Sequence, residues 1–420
     1  VLANRFYDHS LIVTLRNLHG NVRGAVLTEP LWAIPYNLYI PYVSVFMLAL
    51  GLTDSQIGLL ASIGMAFQIF WTMLSGAITD KFGRKRTTLI TDLIAWSIPC
   101  LIWAFAQDFN AFLLATIISS AWRITHNSWL CLLVEGTEPK LLVDVYSLIY
   151  ISGLLAAFFS PITSVLIAHF SLVPTMRGLY LLAFVMMTTK FFTMNAMVEE
   201  TEHGRERMLA TKGQSIFAIA GDSREVIPLI LRSPATLVTA GLMIIIAIAT
   251  IIHNTFWSVI VTEKLLVPPE FLSIFTVTRS VTMLVFYFTV MPKLREVDPR
   301  KPMVFGFIGL FLSVLILITI PPQSYFLLLL TVILEGCSVP AVSTLLDKLI
   351  ATTVDPKERA RIMAILYLVM LIFSSPFGWI AGEASQINRN LPFVINMVLF
   401  SLGALLAFVA SRRDAPAAGS

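Results

Sequence analysis

Charge is scarce in this chain. Aspartate, glutamate, lysine and arginine make up 13% of its 420 residues, against 57% hydrophobic residues, and the mean hydropathy is +0.82. A soluble globular domain carries about a quarter charged residues, so that class is excluded. Cysteine is scarce too: Cys100, Cys131 and Cys337 fall in apolar runs without metal-ligand spacing and read as small packing residues. No GxxxxGK[ST] stretch occurs, so ATP is not the expected energy source. No HExxH and no nucleophile elbow argues for an intramembrane enzyme. No catalytic residue, metal or cofactor is therefore expected. The net charge of +4 comes without a basic stripe interleaved with aromatics, so nucleic acid is not an expected partner. The apolar runs lack period-2 alternation, which excludes a β-barrel.

What is abundant is the long apolar run. Stretches of about 20 residues, enough to cross a hydrocarbon core as a helix, recur at 25–51, 54–79, 87–107, 110–134, 144–170 and 176–197. Six more follow at 234–262, 270–291, 302–321, 324–346, 360–383 and 391–411. The expected fold is an all-α membrane protein with twelve transmembrane helices, multi-pass in the plasma or inner cell membrane. Lysine and arginine concentrate at one set of span ends, including Lys81, Arg84, Lys85, Arg86, Arg205, Arg207, Arg300, Lys301, Arg359, Arg361 and Arg412. The other set holds only Arg177, Lys264 and Arg389. The positive-inside rule then puts both termini in the cytoplasm. No cleavable signal peptide is expected. Leu11, Leu15 and Leu18 lie at helical spacing and predict an interfacial helix within an N-terminal segment 1–24. Residues 412–420 read as a tail.

The longest polar interval, 198–233, splits the spans into two six-helix bundles, 25–197 and 234–411. Weak symmetry follows that split. The loop after the second span, TDKFGRKR, aligns with LREVDPRK after the eighth, setting Arg84-Lys85 on Arg300-Lys301 and Asp80 on Glu296. Glu138-Pro139-Lys140 likewise aligns with Asp355-Pro356-Lys357.

The stretch GAITDKFGRKRTTL resembles the loop signature between the second and third helices of the major facilitator superfamily of secondary transporters. Gly76, Asp80, Gly83, Arg84 and Lys85 occupy its positions, and the run to Arg359 and Arg361 resembles the signature after the tenth helix. The resemblance covers nearly the whole chain and implies alternating access between two pseudo-symmetric bundles. It also implies a conformational latch at Gly76, Asp80, Gly83, Arg84, Lys85, Arg359 and Arg361, with Gly76 at a close helix approach and Asp80 accepting hydrogen bonds. The helix 5 stretch GLLAAFFSPITS lacks the Gly-Pro pattern of drug-exporting members, and Asp144 stands where an arginine is expected.

Ionisable residues inside a bilayer are costly and by default face a cavity. Arg123, Arg279 and Glu335 fall near the midplane, and Glu29 and Asp92 nearer the inner side. The resemblance places the first, fourth, seventh and tenth helices around the central cavity. Tyr36, Asn37, Arg123, His126, Asn127, His253, Asn254, Trp257 and Glu335 then line it, with Arg279 of the eighth helix counted in the cavity as the partner of Glu335. Proton coupling is expected at Glu335 with Arg279, or at Glu29 with Arg123, the alternative for each pair being a permanent structural ion pair. Two midplane arginines against one glutamate suit an organic anion, an excess that disappears if Glu29 reaches Arg123. The expected partners are a small organic solute, protons and the bilayer, with the protein a monomer. An exporter of lipophilic compounds by drug/proton antiport, a lipid or lysolipid translocase on the same fold, and a transport-dead sensor are the rival readings.

Overall fold

A computed structural model of the chain describes residues 14–135, 137, 139–219, 233–294, 297–298, 300–353 and 359–413. Most of the expected interfacial helix, Glu138, Glu296, residues 355–358 and residues 414–420 lie outside the described residues, as do the side chains of Arg359 and Arg361. The regular structure among the described residues is helical throughout, and the chain is an all-helical membrane protein. Among the described residues, eleven helices are long and apolar enough to cross a membrane.

The expected span at 110–134 is not among the eleven. It consists of two shorter helices, Phe109–Ser119 and Trp122–Val134. The cause lies in paired serines: Ser119 and Ser120 donate their hydroxyls to the carbonyls of Thr116 and Ile117, at 3.1 and 2.6 Å. Such back-bonding competes with the helix ladder. The Ala121 and Ile124 amides then take carbonyls only three residues back, those of Ile118 and Ala121, and the chain turns tightly before resuming its helix.

The chain divides into two compact units, Val1–Ile40 with Phe67–Gly221, and Pro41–Ala66 with Asp222–Ser420. In the first unit two local breaks position polar groups. Pro30 has no N–H for the Val26 carbonyl, which instead accepts from Glu29 at 3.3 Å; Glu29 thus sits at a discontinuity of the Gly20–Ala49 helix. Leu93–Ser97 forms a wide π turn ahead of Pro99, which leaves the ladder incomplete there, and carries Trp96. The core nearby joins Ala95, Ala121 and Ile124 to Trp71, Trp96 and Trp122.

In the second unit the start of the Asp54–Phe82 helix packs on Pro376–Ile387 through glycines. A Cβ on Gly58 would come within 2.7 Å of Gly382 Cα and closer still to the Gly378 carbonyl. Polar groups close the seam: the Trp379 amide donates to Ser62 Oγ at 2.7 Å, and Ser55 bonds Glu383. Asp54, 6% exposed, accepts from Ser385 Oγ at 2.6 Å and from Arg389 Nε at 3.3 Å.

The close approach expected at Gly76 is not found there, since a Cβ at Gly76 would meet nothing within 4 Å among the described residues. The two glycines therefore predict opposite signs in detergent thermal melts. Gly58→Ala forces two backbones apart and is expected to cost about 1–3 kcal/mol. Gly76→Ala is expected to be neutral or to gain about 0.5–1 kcal/mol from helix propensity. Equal melting temperatures for the two variants would contradict the seam.

Candidate functional site

Four helices of the first unit present polar and aromatic side chains to one cavity of about 370 Å³. Glu29, Trp32 and Tyr36 come from one face of the first helix, Asp92 and Trp96 from the third, and Trp122, His126 and Trp129 from the Trp122–Val134 helix. Each set follows helical spacing, so side chains three, four or seven apart share a face. Lys190, from Leu172–Met197, donates to Glu29 Oε2 at 2.9 Å, with both residues buried. Its ammonium lies 5.7 Å from the Trp32 ring. Arg123 donates from Nε to Gln68 Oε1 at 3.1 Å and lies 4.3 Å over Trp122. The expected partner of Glu29 was Arg123; the structure sets Lys190 against it. Asn37 spends its amide on the Ala33 carbonyl, and Asn127 donates to Thr79, so neither amide reaches this cavity's lining.

In the second unit His253, Asn254, Trp257, Arg279 and Glu335 line one cavity of about 260 Å³. Glu335, 8% exposed, has a single oxygen 2.9 Å from Arg279 Nη2 and 3.3 Å from His253 Nε2. Trp257 stacks on His253 with ring centroids 6.0 Å apart. The pairing of Glu335 with Arg279 is the one expected from sequence, and His253 joins it. Two groups on this wall lack partners among the described residues: Arg279 Nε and Asn396 Oδ1 are buried without a hydrogen bond. An unpaired buried polar group costs its full desolvation, so this wall is held at a cost in stability.

Asp80 sits in a third cluster at the end of the Asp54–Phe82 helix. Its Oδ2 accepts from Arg207 Nη2 at 2.7 Å and Nε at 3.0 Å. Those bonds and the carboxylate charge hold the Arg207 guanidinium above its ordinary pKa. Arg84 Nη1 lies 3.1 Å from Asp80 Oδ1 but without hydrogen-bond alignment, whereas Arg84 Nε bonds Glu135 at 3.1 Å. Gly83, at φ +82° and ψ 160°, makes the turn in a conformation open essentially to glycine alone. The following helix begins with the Arg84 and Lys85 amides donating to the two oxygens of Glu200, at 2.9 and 3.0 Å. A carboxylate is well placed there, because free N–H groups and the helix dipole both favour a negative charge. Thr201 bonds Glu135 and caps the Glu202–Ala210 helix by accepting from the Gly204 amide at 2.9 Å.

Sequence reasoning missed Lys190, Glu135, Glu200 and the ring set Trp96, Trp122 and Trp129. Lys190 had a signal, a lone lysine inside an apolar span, and so did the tryptophans, in their spacing. Glu200 had none beyond its place in a polar interval.

The sequence signature of the Major Facilitator Superfamily matches residues 32–262 and again 239–420. The chain belongs to the Major Facilitator Superfamily. It is accordingly a secondary transporter of that superfamily and not an enzyme. An uncharacterized MFS-type transporter, YqjV of Bacillus subtilis (strain 168), is 23% identical over 193 residues, 44% of this chain and 47% of that protein. The chain thus spans about half the length of this curated relative. Among solved structures, the nucleoside transporter NupG superposes with a TM-score of 0.69 at 16% identity, covering 93% of this chain and 98% of that one. The human organic anion transporter MFSD10 (TETRAN) gives 0.62 at 15% identity, covering 92% and 98%. A bacterial homolog of the human lysosomal transporter Spinster gives 0.69 at 13%, covering 93% and 96%. At these identities the likeness shows the superfamily fold.

Proposed function

We propose that this superfamily member moves a small organic solute across a cell membrane by alternating access and couples that movement to protons through Glu335. The observation that carries the reading is the cluster on the second unit's cavity wall. A buried carboxylate whose one oxygen meets a guanidinium, with an imidazole beside it, is stabilised in its ionised form by that one cation and loses the stabilisation once the guanidinium moves away. That difference is what a coupling site needs. Glu29, with Lys190 as its cation, is the second carboxylate of this kind. The solved relatives described as nucleoside and organic anion transporters support a small organic solute.

In this reading the broken pair Phe109–Ser119 and Trp122–Val134 makes the fourth of twelve crossings. The bundles are 25–197 and 234–411, joined by the cytoplasmic loop 198–233, with both termini cytoplasmic and the protein a monomer in the plasma or inner membrane. The Asp80 cluster is the latch, Gly83, Arg84 and Lys85 giving it its geometry and Arg359 and Arg361 completing it. Arg207 is the loop cation that Asp80 holds.

Purified protein in liposomes tests the reading. Under an imposed pH gradient, at least one solute from a panel of nucleosides, organic anions, sugars and aromatic amides is expected to accumulate above its equilibrium level. A protonophore should collapse that accumulation to equilibration. Accumulation unaffected by the protonophore would overturn proton coupling.

A further inference from the structure

We propose that the first unit's cavity is a slot for an uncharged planar aromatic solute whose edge carries both a carbonyl acceptor and an N–H donor, as in a ring amide or lactam. The proposal rests on the reading of the chain as a solute carrier and names the class of solute.

The walls are the first argument. Trp32 stacks on Tyr36 with centroids 4.7 Å apart and 13° between planes, and Trp96 stands edge-on to Trp32 at 5.1 Å and 87°. Trp122 and Trp129, seven residues apart on one helix, line the same cavity. Its volume of about 370 Å³ is at the small end for ligand sites and suits one or two fused rings. Flat rings reward a flat ligand, by stacking and edge-to-face contact, over an aliphatic one of equal size.

Hydrogen bonding is the second. The Glu29 and Lys190 pair, 2.9 Å apart on the cavity wall, sets a donor beside an acceptor. A ligand edge with one carbonyl and one N–H answers both groups.

Charge is the third. It is matched within the wall: the Lys190 ammonium is paired with the Glu29 carboxylate at 2.9 Å, so an ionic ligand would have to break that pair or stay unmatched in a desolvated site. Arg123 does not line this cavity and donates to Gln68 instead, so the arginine that suggested an organic anion does not offer its charge here.

Equilibrium binding to the purified full chain, by titration calorimetry, tests the inference without requiring flux. The probes are nicotinamide and indole-3-carboxamide, their acids nicotinate and indole-3-carboxylate, and their amines 3-picolylamine and 3-(aminomethyl)indole. At least one amide is expected to bind tenfold or more tighter than its own acid and amine. Trp122→Ala is expected to weaken that binding at least tenfold, and Trp122→Phe, which keeps a flat face, to stay within about threefold of wild type. No amide binding below 10 mM, neither amide binding more tightly than its own acid and amine, or unchanged affinity in Trp122→Ala would each overturn the proposal. The comparison among probes uses wild-type protein alone, so it holds even if a variant fails to fold. Amide binding without pH-driven accumulation would overturn the transport reading and leave the slot standing.

Discussion

Glu335→Gln is expected to abolish pH-driven accumulation while leaving solute exchange across the same liposomes within a few-fold of wild type. Glutamine has the shape of glutamate and keeps an oxygen that can accept from Arg279 Nη2, now 2.9 Å from the carboxylate. The substitution leaves no hole, and the wall of the 260 Å³ cavity stays closed. It does remove the ability to take up and release a proton. Binding and exchange depend on shape and hydrogen bonds, whereas accumulation depends on a protonation cycle. The variant therefore separates a coupling carboxylate from a permanent ion pair that only ties helices together. Counterflow of labelled solute reads exchange, and an imposed pH gradient reads accumulation. Full accumulation in Glu335→Gln would assign the residue a structural role.

Lys190→Met is expected to cost about 3–5 kcal/mol of stability, because it strips the partner from a buried carboxylate. Glu29 and Lys190 are 8% and 6% exposed, and their 2.9 Å contact is what makes the Glu29 charge tolerable there. Methionine matches the lysine stem in length, so the loss reports the ammonium, whose contacts with the Trp32 and Phe191 rings go with its charge. The double variant Glu29→Gln with Lys190→Met removes both charges and is expected to recover most of the loss, since replacing a whole buried pair is often near neutral. Detergent melts of the two single variants and the double complete the cycle. A Lys190→Met protein as stable as wild type, or a double variant no better than Lys190→Met, would contradict the pairing.

How far the sequence could be read followed the range of the interactions. Membrane character, helical class and the superfamily came from composition, run length and the GAITDKFGRKR stretch, all of them local. The Arg279 and Glu335 pair was legible because charges inside apolar runs have few places to go. By the same logic Lys190 should have been counted, and it was hidden by its neighbours in the long run 176–197. The break at Ser120-Ala121 was invisible to hydropathy, since serine back-bonding interrupts a helix without changing its apolar average. Glu200 and Arg207 were illegible for a different reason. Their roles depend on contacts with Arg84 and Asp80 that span 116 and 127 residues, and no periodicity records a partner that distant. The seam of Gly58 with Gly378 and Gly382 is of the same kind.

The measurement that tests proton coupling most directly is its reverse. Binding linkage between solute and proton is reciprocal, so a solute gradient must drive protons if a proton gradient drives solute. Liposomes holding the purified protein and an internal pH dye, with no ATP and no imposed pH gradient, would receive the solute that accumulates in the gradient assay. The predicted result is a change of internal pH that follows solute entry in the wild type and is lost in Glu335→Gln. Entry of labelled solute with the internal pH unchanged would contradict it.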